Sequence, residues 1–363
     1  MAIVKFVEVC EKIGSGATPR GGKEAYSDEG ISLVRSQNVL DFSFSSDGLV
    51  HINDEQAKKL KNVELHPDDV LLNITGDSVA RACIMDSSFL PARVNQHVAI
   101  VRGKKELVLN SYILYYLQWK KDYLLQLASA GATRNALTKG MIEQLDINLP
   151  SLTEQKRIVA VLDSIQQKIS VNKKINDNLQ QQAAAIFRSW FVDCAPFGGK
   201  APDEWENVTL EDITALVSRG ITPKYADDTD QIVINQKCIR NHTIDLSLAR
   251  THTPKIINEK WLRFGDLLIN STGDGTLGRA AQVWFQPKNL TVDSHVTIAR
   301  PAKENLIFYI GLWGILHEKE IESLHTGSTG QTELPRDRVK AMELLLPDNE
   351  TLDRFNGLIT PMA

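Results

Sequence analysis

NITGDSVARA (residues 73–82) reads as the end of an apolar strand followed by a tight turn, and NSTGDGTLGRA (270–280) returns at an offset of about 198 residues. Other segments keep the same order. GATPR (16–20) parallels GITPK (220–224), and SQNV (36–39) parallels NQKCI (235–239) when Gln37 is set opposite Gln236. VNQHVAIVR (94–102) parallels VDSHVTIAR (292–300), which brings His97 opposite His295. SAGATRNAL (129–137) parallels HTGSTGQTEL (325–334), and INLP (147–150) parallels LLLP (344–347). A period this long exceeds any solenoid unit, so a whole domain is duplicated.

Each copy alternates short apolar or β-branched runs with Gly, Pro, Asn and Asp turns and carries one helical stretch, 110–129 or 304–324. The expected fold is therefore α+β: two tandem related domains, 1–150 and 196–347, separated by a long helix over 151–195. That middle segment has no Gly or Pro for about 40 residues. Ile158, Leu162, Ile165, Ile169, Asn172, Asn176, Leu179, Ala183, Ile186 and Trp190 step along it by alternating fours and threes, the spacing of a coiled-coil seam with two buried-position asparagines. Ser151 and Glu154 fit a capping box at its start, and at 1.5 Å per residue the rod is ~60 Å long. After the second copy, LPDNETLDRFNGLITPM (346–362) opens as LPSLTEQKRIVAVLDSI (149–165) does. This predicts a second spacer helix of which the chain carries only the start, 348–363.

A net charge of -4 argues against a polycationic binder, but residues 151–200 carry 7 basic and 4 acidic side chains. DNA binding would then rest on local basic patches or on a partner that adds phosphate contacts. Four scattered cysteines, Cys10, Cys83, Cys194 and Cys238, form no CxxC pair, so no disulfide framework or zinc cluster is expected. The sequence has no signal peptide and no apolar run long enough to span a membrane, which predicts a cytoplasmic protein without membrane contact.

Chemistry is hard to place in this chain. GATPRGGK (16–23) has Ala17 where a phosphate loop needs its first glycine and is followed by Glu24 instead of Ser or Thr. No Asn-Pro-Pro-aromatic methyltransferase motif occurs, and neither Pro67-Asp68 nor Pro202-Asp203 is followed by the Glu-x-Lys of a nuclease. His97 and His295 lack a second ligand at metal spacing and read as hydrogen-bonded strand-end residues. The Thr-Gly-Asp turns at Asp77 and Asp274 read as scaffold, since Gly tolerates positive φ and Asp bonds neighbouring backbone. No cofactor, metal or catalytic residue is expected.

Two variable domains split by a helix with LPSLTEQKRI at its start and NDNLQQQAAAIFRSWFVD toward its end resemble the DNA-specificity subunit of type I restriction-modification systems. The resemblance covers essentially the whole chain. It implies a non-catalytic subunit in which each domain is a target recognition domain for one half of a bipartite site on double-stranded DNA. The long helices would set the half-site spacing and dock two DNA adenine methyltransferase subunits, to which restriction subunits add. The short C-terminus departs from the family and leaves a second expectation open: a truncated subunit that self-associates through its seam or acts as a silent interaction protein.

Bidentate base contacts need Arg or Lys for guanine and Asn or Gln for adenine. If both domains share a scaffold but read different sequences, readers sit where the copies differ. This nominates Arg35, Gln37, Asn38, Asn95, Gln96, Arg134 and Asn135 in the first domain, and Asn235, Gln236, Lys237, Arg240, Ser294, Thr329 and Gln331 in the second. Arg20, Lys23, Arg81, Lys139, Lys224 and Arg279 are the expected phosphate contacts. Trp190 and Phe191 are expected to pack against a domain or a partner instead of stacking on DNA.

Overall fold

VLL (70–72) and VAIV (98–101) carry no polar residue because the strands they belong to are covered on both faces. The computed structural model describes residues 2–19, 25–129, 135–273, 275–327 and 332–363, and the chain divides into two compact units, Met1–Val171 and Asn172–Ala363. The strands of the first unit are β1 (Ala2–Lys5), β2 (Cys10–Ser15), β3 (Ile31–Val34), β4 (Val50–Ile52), β5 (Val70–Asn73), β6 (Ala82–Ile84), β7 (Ala92–Val94), β8 (Val98–Gly103) and β9 (Asp146–Leu149). An antiparallel sheet runs β2-β8-β5-β6, a smaller one runs β4-β3-β7 with β3 and β7 parallel, and β1 pairs with β9. Period-two geometry sends Val70, Leu72, Ala99 and Val101 to the core under the helices, and Leu71, Val98 and Ile100 to a second core shared with the small sheet.

The second unit repeats this plan. Its strands are β10 (Glu206–Thr209), β11 (Thr214–Arg219), β12 (Ile232–Ile234), β13 (Ile239–Arg240), β14 (Thr243–Ile244), β15 (Arg250–Thr251), β16 (Leu267–Asn270), β17 (Ala280–Gln282), β18 (Leu290–Val292), β19 (Val296–Pro301) and β20 (Glu343–Leu346). The sheets run β11-β19-β16-β17 and β15-β12-β18, with β10 on β20. Even the bulge is shared, at Cys10/Lys12 and Thr214/Leu216. The hairpin β13–β14 is the enlarged form of a single bridge, Val39↔Phe44, in the first unit. Gly16 and Gly220 are required by a close approach, since a Cβ there would lie 1.7 Å from the Val94 oxygen or 1.9 Å from that of Val292.

Each unit buries one bidentate ion pair. Arg102 on β8 donates through Nε (2.5 Å) and Nη2 (2.6 Å) to Asp69 just before β5, and Arg300 on β19 donates through Nε (2.8 Å) and Nη2 (2.7 Å) to Asp266. The guanidinium groups also donate to backbone carbonyls, that of Glu64 in the first unit and those of Glu259 and Trp261 in the second. The expected helical stretches each break in two. Asn110–Trp119 is followed by Lys121–Ser129 and Ile307–Leu316 by Glu318–Ser323, so that Leu124, Ala128 and Ile321 can turn into the core.

One unbroken helix spans Leu152–Phe187 and ends in a π-turn, Arg188–Val192; the division between the units falls inside it. Ser151 Oγ accepts from Glu154 N at 3.3 Å. Buried Gln155 ties the start to the first unit, accepting from Leu109 N and donating to the carbonyls of Leu107 and Pro150, each at 2.9 Å. Seam residue Ile158 packs on the first core, and Ala183, Ile186 and Trp190 pack on the second. Between them the seam is open: Ile165 and Ile169 are 52% and 56% exposed. Asn172 and Asn176 are exposed, not buried, because nothing in the described chain covers that stretch. The C-terminal helix, Asn349–Ile359, is 11 residues long. It buries Leu352, Phe355 and Ile359 in the second core, where Phe355 sits 4.8 Å from Phe191 and 6.0 Å from Trp190 between ring centroids.

Removing one partner of a buried pair leaves an uncompensated charge. Asp266→Ala is expected to destabilise the second unit by roughly 3–5 kcal/mol, read as an earlier denaturation midpoint; a shift under about 1 kcal/mol would show that the pair is solvated.

Candidate nucleic-acid interface

Four segments singled out by the repeat converge at one end of the large sheet in each unit. The Thr-Gly-Asp turn leaves β5 or β16 with glycine in the left-handed region (Gly76 φ 75°, Gly273 φ 98°), and a second left-handed residue, Ala80 or Gly278, donates its N–H back to the carbonyl of Asn73 or Asn270. Beside it lies a one-turn 3-10 helix, Ser36–Asn38 or Gln236–Cys238. The turn before β8 or β19 brings in a histidine: Nδ1 of His97 is 2.6 Å from Thr75 Oγ1, and that of His295 is 2.8 Å from Thr272 Oγ1. The fourth segment closes the group, with Leu137 N donating to Ile74 O and Leu334 N to Ser271 O, both at 2.8 Å.

Strand register corrects one pairing of the copies. β3–β7 sets Val34 against Val94 and β12–β18 sets Ile234 against Val292. Asn73 Nδ2 then donates to Ser36 O (2.9 Å) as Asn270 Nδ2 does to Gln236 O (3.1 Å). Gln236 therefore stands opposite Ser36, and Lys237 opposite Gln37. Residues lost or gained between the turns hide this shift in the sequence.

Several expected readers are structural. Asn38 is fully buried, its Oδ1 accepting from Arg35 N and its amide donating to the carbonyls of Ser45 and Asp47. Asn95 is buried and its Oδ1 accepts from His97 N; Asp293 does the same for His295, with burial holding its carboxyl above the usual range. Arg35 is pinned to the Gly48 carbonyl (2.5 Å) and lies over the Tyr26 ring, and Asn235 caps its own turn at Lys237 N. Gln96 accepts from Thr18 and donates to His97 Nε2 at 3.1 Å. Because that nitrogen is an acceptor, the neutral ring carries its proton on Nδ1.

Gln37, Asn135, Lys237 and Arg240 are exposed, Ser294, Arg81 and Arg279 half-buried, and Lys224 exposed. Lys139 forms an ion pair with Glu143 (3.4 Å). Arg20, Lys23, Arg134, Asp274, Thr329 and Gln331 lie outside the described residues. In the first unit Ser36, Gln37, Thr75, Gly76, Asp77, Ser78, Arg81 and His97 line an open polar cleft of about 440 Å³. Ser36 and the two ion-paired arginines, Arg102 and Arg300, escaped sequence reasoning, although all three lie in aligned segments, and Gln236, nominated as a reader, lies across the turn instead. All four cysteines are buried and free, and burial pushes the Cys10 and Cys83 thiols up to about 12.

Arg240 sits on the β13–β14 hairpin, which is held by His242 Nδ1 against Glu318 Oε1 at 3.2 Å. The Glu318 carboxylate raises the His242 pKa above its ordinary value. A histidine raised on folding contributes stability that is fully present below its unfolded pKa and lost as pH rises through the higher folded value. The loss in melting temperature caused by His242→Ala is expected to be largest below about pH 6 and to fade above neutrality; a loss independent of pH would assign His242 to packing alone.

A family model described as "Type I restriction modification DNA specificity domain" matches residues 1–181. The MjaIX specificity subunit of a type I restriction enzyme from Methanocaldococcus jannaschii is 24% identical over 99% of this chain and 86% of its own length. The EcoKI specificity subunit of Escherichia coli K12 is 21% identical over 88% of this chain and 72% of its own. Among solved structures, the S subunit of a type I restriction-modification system from M. genitalium superposes with a TM-score of 0.58 at 11% identity, over 99% of this chain and 88% of that one. The fold is thus that of a specificity subunit, and the chain has relatives of that kind along nearly its whole length.

Proposed function

We infer that this chain is the DNA-specificity subunit of a type I restriction-modification complex, a non-catalytic protein that directs partner enzymes to a bipartite site on double-stranded DNA. The observation that carries this reading is one fold built twice with the same turn cluster, whose buried members are shared and whose exposed members differ. Each cluster reads one half-site. Where the first domain presents an open cleft bordered by Gln37, the second presents Lys237 and Arg240, suited to guanine. Arg279 and Lys224 then serve the phosphates.

The long helix fixes the number of base pairs between the half-sites and docks the methyltransferase subunits, two per complex, with restriction subunits completing the assembly in the cytoplasm. Its middle offers Val161, Ile165, Ile169 and Ile175, each about half exposed, as apolar surface for a helical partner. The same row favours one second reading, self-association of two copies through this stretch. A single size by sedimentation, monomeric alone and larger only with methyltransferase, would exclude it.

Long-read mapping of methylated adenines in a host carrying this chain and its methyltransferase tests the main reading. Lys237→Gln is expected to change base preference in one half-site only, with a wrong base there costing about 1–3 kcal/mol. A uniform fall at all sites would make Lys237 a phosphate contact. Exchange of residues 1–150 for another such domain is expected to change the other half-site, and an unchanged methylation map would refute the function.

A further inference from the structure

The two domains differ at the mouth of their shared cluster, and the difference comes from residue 36 and its counterpart, Gln236. In the first domain, Thr75 Oγ1 accepts the His97 Nδ1 proton, which leaves its own hydroxyl proton without an acceptor among the described residues. Asp77 and Arg81 line the same cleft and make no side-chain hydrogen bond among those residues. The Gln37 amide nitrogen is held by the carbonyls of Asp47 and Gly48, both at 3.2 Å, with its oxygen left over. The cleft thus offers two donors, Arg81 and Thr75, and two acceptors, Asp77 and the Gln37 oxygen. Phosphate fits such a lining poorly, because the Asp77 charge opposes it and cancels that of Arg81. A base edge, which carries donors and acceptors side by side, fits it.

In the second domain the same space is taken. Gln236 Oε1 accepts the Thr272 hydroxyl proton at 3.0 Å, and a Cβ on Gly273 would meet Gln236 Nε2 at 2.8 Å, so the amide lies across the turn. Serine at position 36 is too short to do this.

Building on the DNA-specificity reading, we propose that the cleft of the first domain is a base-edge pocket for a C·G pair of its half-site, closed in the second domain by Gln236. Asp77 accepts from the cytosine N4 amino group in the major groove, and Arg81 donates to guanine O6 and N7. Thr75 and Gln37 border the pair. The second domain, with its cleft filled, reads from the exposed surface through Lys237 and Arg240.

The test uses the full chain in its methyltransferase complex, with methylated adenines mapped for wild type, Ser36→Gln, Ser36→Ala and Asp77→Asn. Ser36→Gln and Asp77→Asn are each expected to lower methylation at least tenfold at sites carrying the C·G pair, or to relax preference at that one position, while the other half-site keeps its sequence. Ser36→Ala, which leaves the cleft open, is expected to keep the wild-type map. Asp77 is exposed and unbonded, so its variant remains informative if Ser36→Gln does not fold. An unaltered map for a folded Ser36→Gln or for Asp77→Asn overturns the pocket, as does a uniform loss at every site. Absence of chain-dependent methylation in the wild type would instead sink the specificity-subunit reading on which the pocket rests.

Discussion

The Arg102–Asp69 pair and its buried counterpart Arg300–Asp266 fix the ladder on which everything else is mounted. They stand at one end of the β5–β8 and β16–β19 ladders, whose registers set Val70 against Val101 and Leu267 against Ala299. At the opposite end the same ladders deliver Thr75 beside His97 and Thr272 beside His295. A slip of one residue would send every core side chain to the wrong face and separate the turn from its histidine. Charges this far from water are tolerated because both carboxylate oxygens are bonded and the guanidinium also serves backbone carbonyls, which a hydrophobic pair could not do for Glu64, Glu259 and Trp261. Geometry at the reading end is therefore set by chemistry far from the reading end.

The shared part of each cluster is inert by construction. The histidines hand their Nδ1 protons to threonine, and Asn95 and Asp293 cap the histidine turns. Buried asparagines at 73 and 270 tie the 3-10 turn to the large sheet. With those groups spent, exposed positions can vary without disturbing the frame. The Ser36/Gln236 difference shows how far this goes, since one side chain decides between an open polar cleft and a filled one.

The duplication, the α+β character and the long helix were legible because each leaves a repeating trace: matched turns, two-residue and seven-residue periods, and 40 residues without a breaker. The role of Asp69 and Arg102 was not, since an identical residue in two aligned strands looks the same whether it is buried or wet. The pairing of Gln37 with Gln236 failed for a related reason. Chemical likeness outweighed register, and only the β3–β7 and β12–β18 ladders show where residues have been gained or lost. The residue type of Asn38 and Asn95 suits both base recognition and turn capping, and burial alone separates the two uses. Of the residues at seam spacing, those at the ends serve the domains and only the centre is bare.

No residue between 160 and 182 of the long helix belongs to either hydrophobic core. A genetic crossover in the codons for that stretch would cut through no packed interior and would pass on each reading domain with all of its internal partners. Exchange of gene segments there would therefore transfer a whole domain at once, without point mutations having to rebuild its core.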